Sequence, residues 1–195
     1  MGRVLVGADT GGSPTGSIAD YVADELAQAG HDPIVINTTH PPPNLDLRRY
    51  DGCVVVRTLP PVVSEPSPFL RANADILNRL HSGLIAIDST NGSVEDSNRG
   101  RGAQMESNAR STRVRPAAER VDAICEALDW EPTYTLIVED RSGELFSILW
   151  NELRYRLSKL RGDTRPRERI AARRQWAAID DFVASFAATL EKPHP

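Results

Sequence analysis

The stretch Asp9-Thr10-Gly11-Gly12-Ser13-Pro14-Thr15-Gly16-Ser17 holds the residue types that grip an anion. It interrupts a β-branched run, residues 3–8, and leads straight into an amphipathic helical pattern. Backbone N–H groups at a helix start lack intrahelical partners and carry the positive end of the helix dipole. Gly11, Gly12 and Gly16 let the backbone approach a ligand closely, and Thr10, Ser13, Thr15 and Ser17 add hydroxyl donors. The stretch contains no Lys or Arg, so its donors are neutral, a set suited to a phosphate monoester held without a counter-charge. Its spacing fits neither standard nucleotide fingerprint: no Lys follows Gly16, and glycines at 7, 11, 12 and 16 do not form GxGxxG. The same residues also make an ordinary N-cap and turn. The loop alone leaves both readings open.

Other chemistry is sparse. His31, His40, His81 and His194 are scattered, and nothing has the spacing of a metal site. Cys53 falls in an apolar run and Cys125 in a helical pattern, which suits packing in a reducing cytoplasm. The N-terminus lacks a signal-peptide pattern, and no apolar run reaches the roughly 20 residues of a membrane span. The net charge of −4 conceals an asymmetry, because residues 154–174 hold nine Lys or Arg and two acids, +7, leaving −11 elsewhere. Nucleic acid is a poor fit, since the basic segment lacks interleaved aromatics and the balance is acidic.

The elements that must position the loop follow from hydrophobic period. Apolar runs at 3–8, 33–37, 52–56, 83–88 and 133–139 read as buried strands. Ile18, Val22 and Leu26 mark a helix that Gly30 stops. Further helical patterns cover 68–80, 116–128, 144–160 and 173–190, the last striped by Trp176, Ile179, Phe182, Val183, Phe186 and Leu190. Residues 89–115 are polar without period and read as a long loop. Short strands alternating with helices predict an α/β doubly wound parallel sheet, order 2-1-3-4-5, with helices on both faces and one domain over 1–195. In such a sheet the loop at 9–17 sits at the ligand crevice.

With that order in place, four stretches resemble the flavodoxin superfamily, and within it the menaquinone-dependent protoporphyrinogen oxidase branch. The first loop with "IADYVADELAQAGHDPIVIN" is similar to that family's first helix and second strand, and "LRRYDGCVVV" to its third. "ALDWEPTYTLIVED" resembles its W-x-P approach to strand five. "RGDTRPRERIAARRQWAAIDDFVASFAATL" resembles its Gly-Gly-x-Thr-Asp-x-x-Arg segment and final helix, with Gly162-Asp163-Thr164 to Trp176 the most specific part.

The resemblance implies a flavodoxin-like fold and noncovalent FMN, its phosphate on Thr10, Gly11, Gly12, Ser13, Thr15, Gly16 and Ser17. It places the ring between Thr58, Leu59, Pro60 and Pro61 after strand three and Ser89, Thr90, Asn91 and Gly92 after strand four. It implies a quinone or other redox partner and a porphyrinogen substrate, with no particular catalytic residue and no fixed oligomeric state. The leucine-striped, basic segment 144–174 suggests contact with anionic lipid at the inner face of a membrane, or with porphyrin carboxylates; its leucines equally suit packing on the sheet. Departures point the other way. The first loop is one residue longer than is usual in the family and contains Pro14, both ring loops lack aromatics, and Arg57 stands where the family tends to have a small residue, either pairing with the electron-rich flavin edge or blocking it. The alternatives are therefore a flavin-free binding or regulatory protein and a simple electron-transfer flavodoxin.

Overall fold

The structure, a computed structural model, describes residues 1–9, 14–60, 67–89, 115–139 and 170–191. Strands β1 (Arg3–Ala8), β2 (Asp32–Asn37), β3 (Gly52–Thr58), β4 (His81–Asp88) and β5 (Tyr134–Glu139) form one parallel sheet in the order β2-β1-β3-β4-β5. Helices α1 (Pro14–Gln28), α2 (Pro68–Leu77), α3 (Ala117–Leu128) and α4 (Ile170–Leu190) alternate with them, and a single 3-10 turn spans Leu47–Arg49. This is the fold the hydrophobic period predicts. The expected helix at 144–160, and nearly all of the expected loop at 89–115, lie outside the described residues.

Side chains alternate across each strand, so every strand feeds two cores. Even-numbered Val4, Val6, Val54 and Val56, with Ile85, Ile87 and Val138, face α1 and α4. Leu5, Cys53, Val55, Leu84 and Ala86 face α2 and α3. Both faces of the central strands are buried, which is why those strands read as continuous apolar runs. Ile18, Val22 and Leu26 of α1 are fully buried, and each such side chain contributes about 1.5–3 kcal/mol of hydrophobic stabilisation. In α4 the predicted stripe is buried through Ile179, Phe182, Val183 and Phe186, with Trp176 and Leu190 packed at its ends.

Local signals set the ends. Ser67 caps α2 by accepting from the Leu70 N–H at 3.3 Å, with Pro68 in the first turn. Helix α1 stops where Gly30 adopts φ 86°, a left-handed conformation that costs glycine little. Strand β3 runs two residues beyond the expected 52–56. Arg57 and Thr58 stay in register with Ala86 and Ile87 of β4, so the charge that closes the apolar run lies within a central strand.

Candidate functional site

The chain leaves β1 for β2 on one side, while β3 lies on the other. That reversal of direction makes the C-terminal ends of β1 and β3 the switch point, where a doubly wound sheet takes its ligand. Around it the sequence places charge where the rest of the sheet is apolar. Asp9 follows β1 and is held from the β2 side: Thr38 Oγ1 donates to its carboxylate at 3.0 Å and to the Ala8 carbonyl at 3.1 Å. Thr39 Oγ1 donates to the Asp9 carbonyl. Gly7 makes room for this clasp, since a Cβ there would lie 2.7 Å from Thr38 Cγ2. From the β3 side the guanidinium of Arg57 approaches the same carboxylate, Nε to Oδ2 3.7 Å. The Asp9–Arg57 pair thus bridges the switch point.

The side chain of Arg57 is 8 % exposed. Its Nε and Nη1 are buried and have no hydrogen-bond partner among the described residues.

A second cation ties the neighbouring loops. Arg120 of α3 is 2 % exposed and spends its three nitrogens on three segments. Nη2 pairs with Asp88 at the end of β4 at 2.7 Å, Nη1 donates to the Pro60 carbonyl after β3 at 3.1 Å, and Nε donates to the Arg115 carbonyl before α3 at 3.0 Å. One planar fork of donors so fixes the spacing between the β3 and β4 loops. Below it Trp130 is buried and its Nε1–H donates to Ser82 Oγ at 3.0 Å.

Of the residues expected to cradle phosphate, Thr15 and Gly16 are buried in the first turn of α1 and Ser17 is half-buried, while Thr10, Gly11, Gly12 and Ser13 lie outside the described residues. Of the ring-loop residues, Thr58 and Ser89 are exposed at the ends of β3 and β4, and Pro60 is half-buried. Leu59 differs: its side chain is core, 1 % exposed, and its N–H donates to the Ile87 carbonyl at 2.8 Å. Pro61, Thr90, Asn91 and Gly92 lie outside the described residues, as does most of the basic segment 144–174.

Asp9, Asp88 and Arg120 were not singled out by sequence, yet signals for them exist. Arg120 falls on the inward stripe Ala117, Val121, Ile124 and Leu128, where a charge has to be paired. Arg57 continues the strongest strand of the chain.

The two cysteines are held in their neutral form. Burial pushes the Cys53 thiol up to about 12. Burial, then Asp122, raises that of Cys125, against the opposing charge of Arg57. Thiols held in the neutral form are poor nucleophiles. A cavity of about 300 Å³ between α3 and β5 is lined by Val121, Cys125, Trp130 and Ile137 with Asp122 and Glu131, and those two carboxylates disfavour an anion. No cluster of three metal-ligating residues occurs among the described residues, and no described helix is long and apolar enough to cross a membrane.

Known structures carry the same architecture. The flavodoxin of Streptococcus pneumoniae TIGR4 superposes with a TM-score of 0.51 at 17 % identity, covering 96 % of this chain and 98 % of that one. A point mutant of Pseudomonas aeruginosa flavodoxin gives 0.53 at 15 % identity, covering 97 % and 99 %. A short-chain flavodoxin associated with a PDU bacterial microcompartment gives 0.52 at 12 % identity, covering 98 % and 100 %. The fold is flavodoxin-like. No family model and no curated protein matches the sequence.

Proposed function

We propose that this chain binds FMN over the C-terminal ends of β1, β3 and β4 and exchanges electrons with a redox partner. The observation that carries the reading is the start of α1 beside the switch point, with Thr15 and Gly16 buried in its first turn. N–H groups at a helix start lack intrahelical acceptors and would meet the phosphate, together with the Thr15 and Ser17 hydroxyls and the expected donors of Thr10–Ser13. The Arg57 donors that have no acceptor among the described residues add positive charge on the same edge, so the residues present fit an anionic cofactor. Thr58, Pro60 and Ser89 line the rim where the ring would lie, and Arg120 holds the two rim loops at a fixed distance. FMN supplies the electron chemistry when bound; the chain's part is to orient it and set the charge around it.

A quinone acceptor, a porphyrinogen donor and an anionic-lipid contact through 144–174 rest on the sequence resemblance and the basic segment, and they form the finer part of the proposal. The flavin-free alternative is favoured by one observation, that Thr58, Leu59, Pro60 and Ser89 offer no aromatic face to a ring.

Titration of FMN and of riboflavin against the protein, followed by flavin fluorescence, tests the reading. A phosphate held at the helix start makes riboflavin at least tenfold weaker, about 1.4 kcal/mol. Equal affinities, or no binding of either, would remove the phosphate cradle.

A further inference from the structure

Among the described residues Arg57 is a buried cation with unspent donors. A guanidinium stays protonated in proteins and presents five N–H donors. Here it sits on a central strand with its side chain more than nine-tenths buried, where donors without acceptors are costly. Its counter-ion Asp9 is only in ionic contact, at 3.7 Å, and is itself 27 % exposed and shared with Thr38. The other buried cation of this edge shows what full satisfaction looks like, because Arg120 spends each nitrogen on a named acceptor. Arg57 leaves Nε and Nη1 unspent among the described residues, beside the crevice where the doubly wound sheet takes its ligand.

We infer that Arg57 is a specificity-determining residue of the crevice, favouring a ligand that carries negative charge over the same ligand without it. This rests on the FMN reading above and deepens it: the positive charge under the crevice makes the site prefer reduced over oxidised flavin. Reduction adds two electrons from a donor such as dithionite and one proton from solvent, and leaves one negative charge on the pyrimidine edge of the ring. A cation in a partly desolvated site attracts that charge more strongly than water does. Asp9 opposes the effect, so the pair works as a fixed bias with two adjustable halves.

Among the described residues the other charged groups near this edge are Asp88 and Arg120, which pair with each other, Glu139 in register with Asp88 at the end of β5, and Asp122 beside Cys125. None of them replaces the missing acceptors of Arg57.

The two halves make the inference testable by sign. The experiment measures the two-electron midpoint potential of the FMN-loaded full chain by dithionite titration with mediator dyes, for the wild type, Arg57→Gln and Asp9→Asn. Arg57→Gln lowers the affinity for reduced relative to oxidised FMN by tenfold or more, a fall of about 30 mV for a two-electron couple. Asp9→Asn leaves the guanidinium less compensated and shifts the potential the opposite way. A purely structural Arg57 gives no such opposed pair of shifts.

Loaded variants with potentials equal to the wild type, or shifted in the same direction, would overturn the inference and leave the FMN reading standing. A wild type that retains no FMN would overturn that reading and this inference with it. If Arg57→Gln does not fold, Asp9→Asn decides alone, since it keeps the buried cation: an upward shift supports the inference and an unchanged or lower potential overturns it.

Discussion

The two faces of this sheet are made from the same strands but not from the same chemistry. Toward α1 and α4 the buried side chains of β1, β3 and β4 are apolar, closed by Phe182 and Phe186, with the polar Thr58 exposed at the end of β3. Toward α2 and α3 the apolar layer stops at the C-terminal ends of the strands, and Asp9, Arg57, Asp88 and Arg120 take its place. Stability alone does not call for that change. A buried ion pair costs desolvation that its attraction only partly repays, and apolar replacements of similar volume are often as stable. The difference teaches that the second face gives up apolar packing at the edge where the switch-point crevice lies, and gains loops held in register.

The comparison breaks most sharply at its two anchors. Phe186→Ala should lose about 3–5 kcal/mol of unfolding free energy by leaving a cavity between α4 and the sheet. Arg120→Met should lose a comparable amount, about 3–5 kcal/mol, by removing the guanidinium that neutralises the buried Asp88 carboxylate. Urea unfolding gives both numbers. The two variants separate in ligand binding: folded Phe186→Ala should hold FMN as the wild type does, whereas Arg120→Met should hold it at least tenfold more weakly. Equal binding in the two would remove the positioning role of Arg120.

A paired replacement sharpens the point. Asp88→Leu combined with Arg120→Met removes both charges together, so its stability should return to within about 1–2 kcal/mol of the wild type. Its FMN affinity should stay low, because the Pro60 carbonyl and the end of β4 no longer share a clamp. Restored affinity in the double variant would show that the charges serve stability alone.

The smallest effect lies on the outer side of α1. Burial first, and then the Asp24 carboxylate four residues on, raise the Asp20 carboxyl above its ordinary range. The folded protein therefore binds that proton more tightly than the unfolded chain, and stability is gained as pH falls through the raised value. Asp20→Asn should add about 0.2–0.5 kcal/mol at pH 7, the size of a helical like-charge pair, and nothing once both carboxyls are protonated. Unfolding at pH 7 and pH 3 checks this, and a loss of stability at pH 7 would contradict the sign.

The strands and helices were legible because burial on both faces writes itself as period. "GCVVV" and "GLIAID" are central strands, and Ile18, Val22 and Leu26 are one helix face. The order 2-1-3-4-5 followed from that alternation. The site was legible only in part. Gly and Ser/Thr at a strand–helix junction announce the loop after β1, but Asp88 and Arg120 are 32 residues apart and meet only through the packing of α3 on β4. No local pattern encodes such a pair beyond the oddity of an arginine on an inward stripe. Leu59 carries two signals: it lies in the loop after β3, as the Pro-rich run predicts, yet its N–H donates to the Ile87 carbonyl and its side chain joins the core, which local sequence does not show.

The central claim is that the C-terminal edge of this sheet is built around FMN. The most direct measurement is the absorbance spectrum of the purified chain after incubation with FMN and desalting. The account predicts flavin bands near about 375 and 450 nm that travel with the protein at one FMN per chain. A colourless protein after desalting would contradict it, and would make the charged edge a scaffold for some other anion.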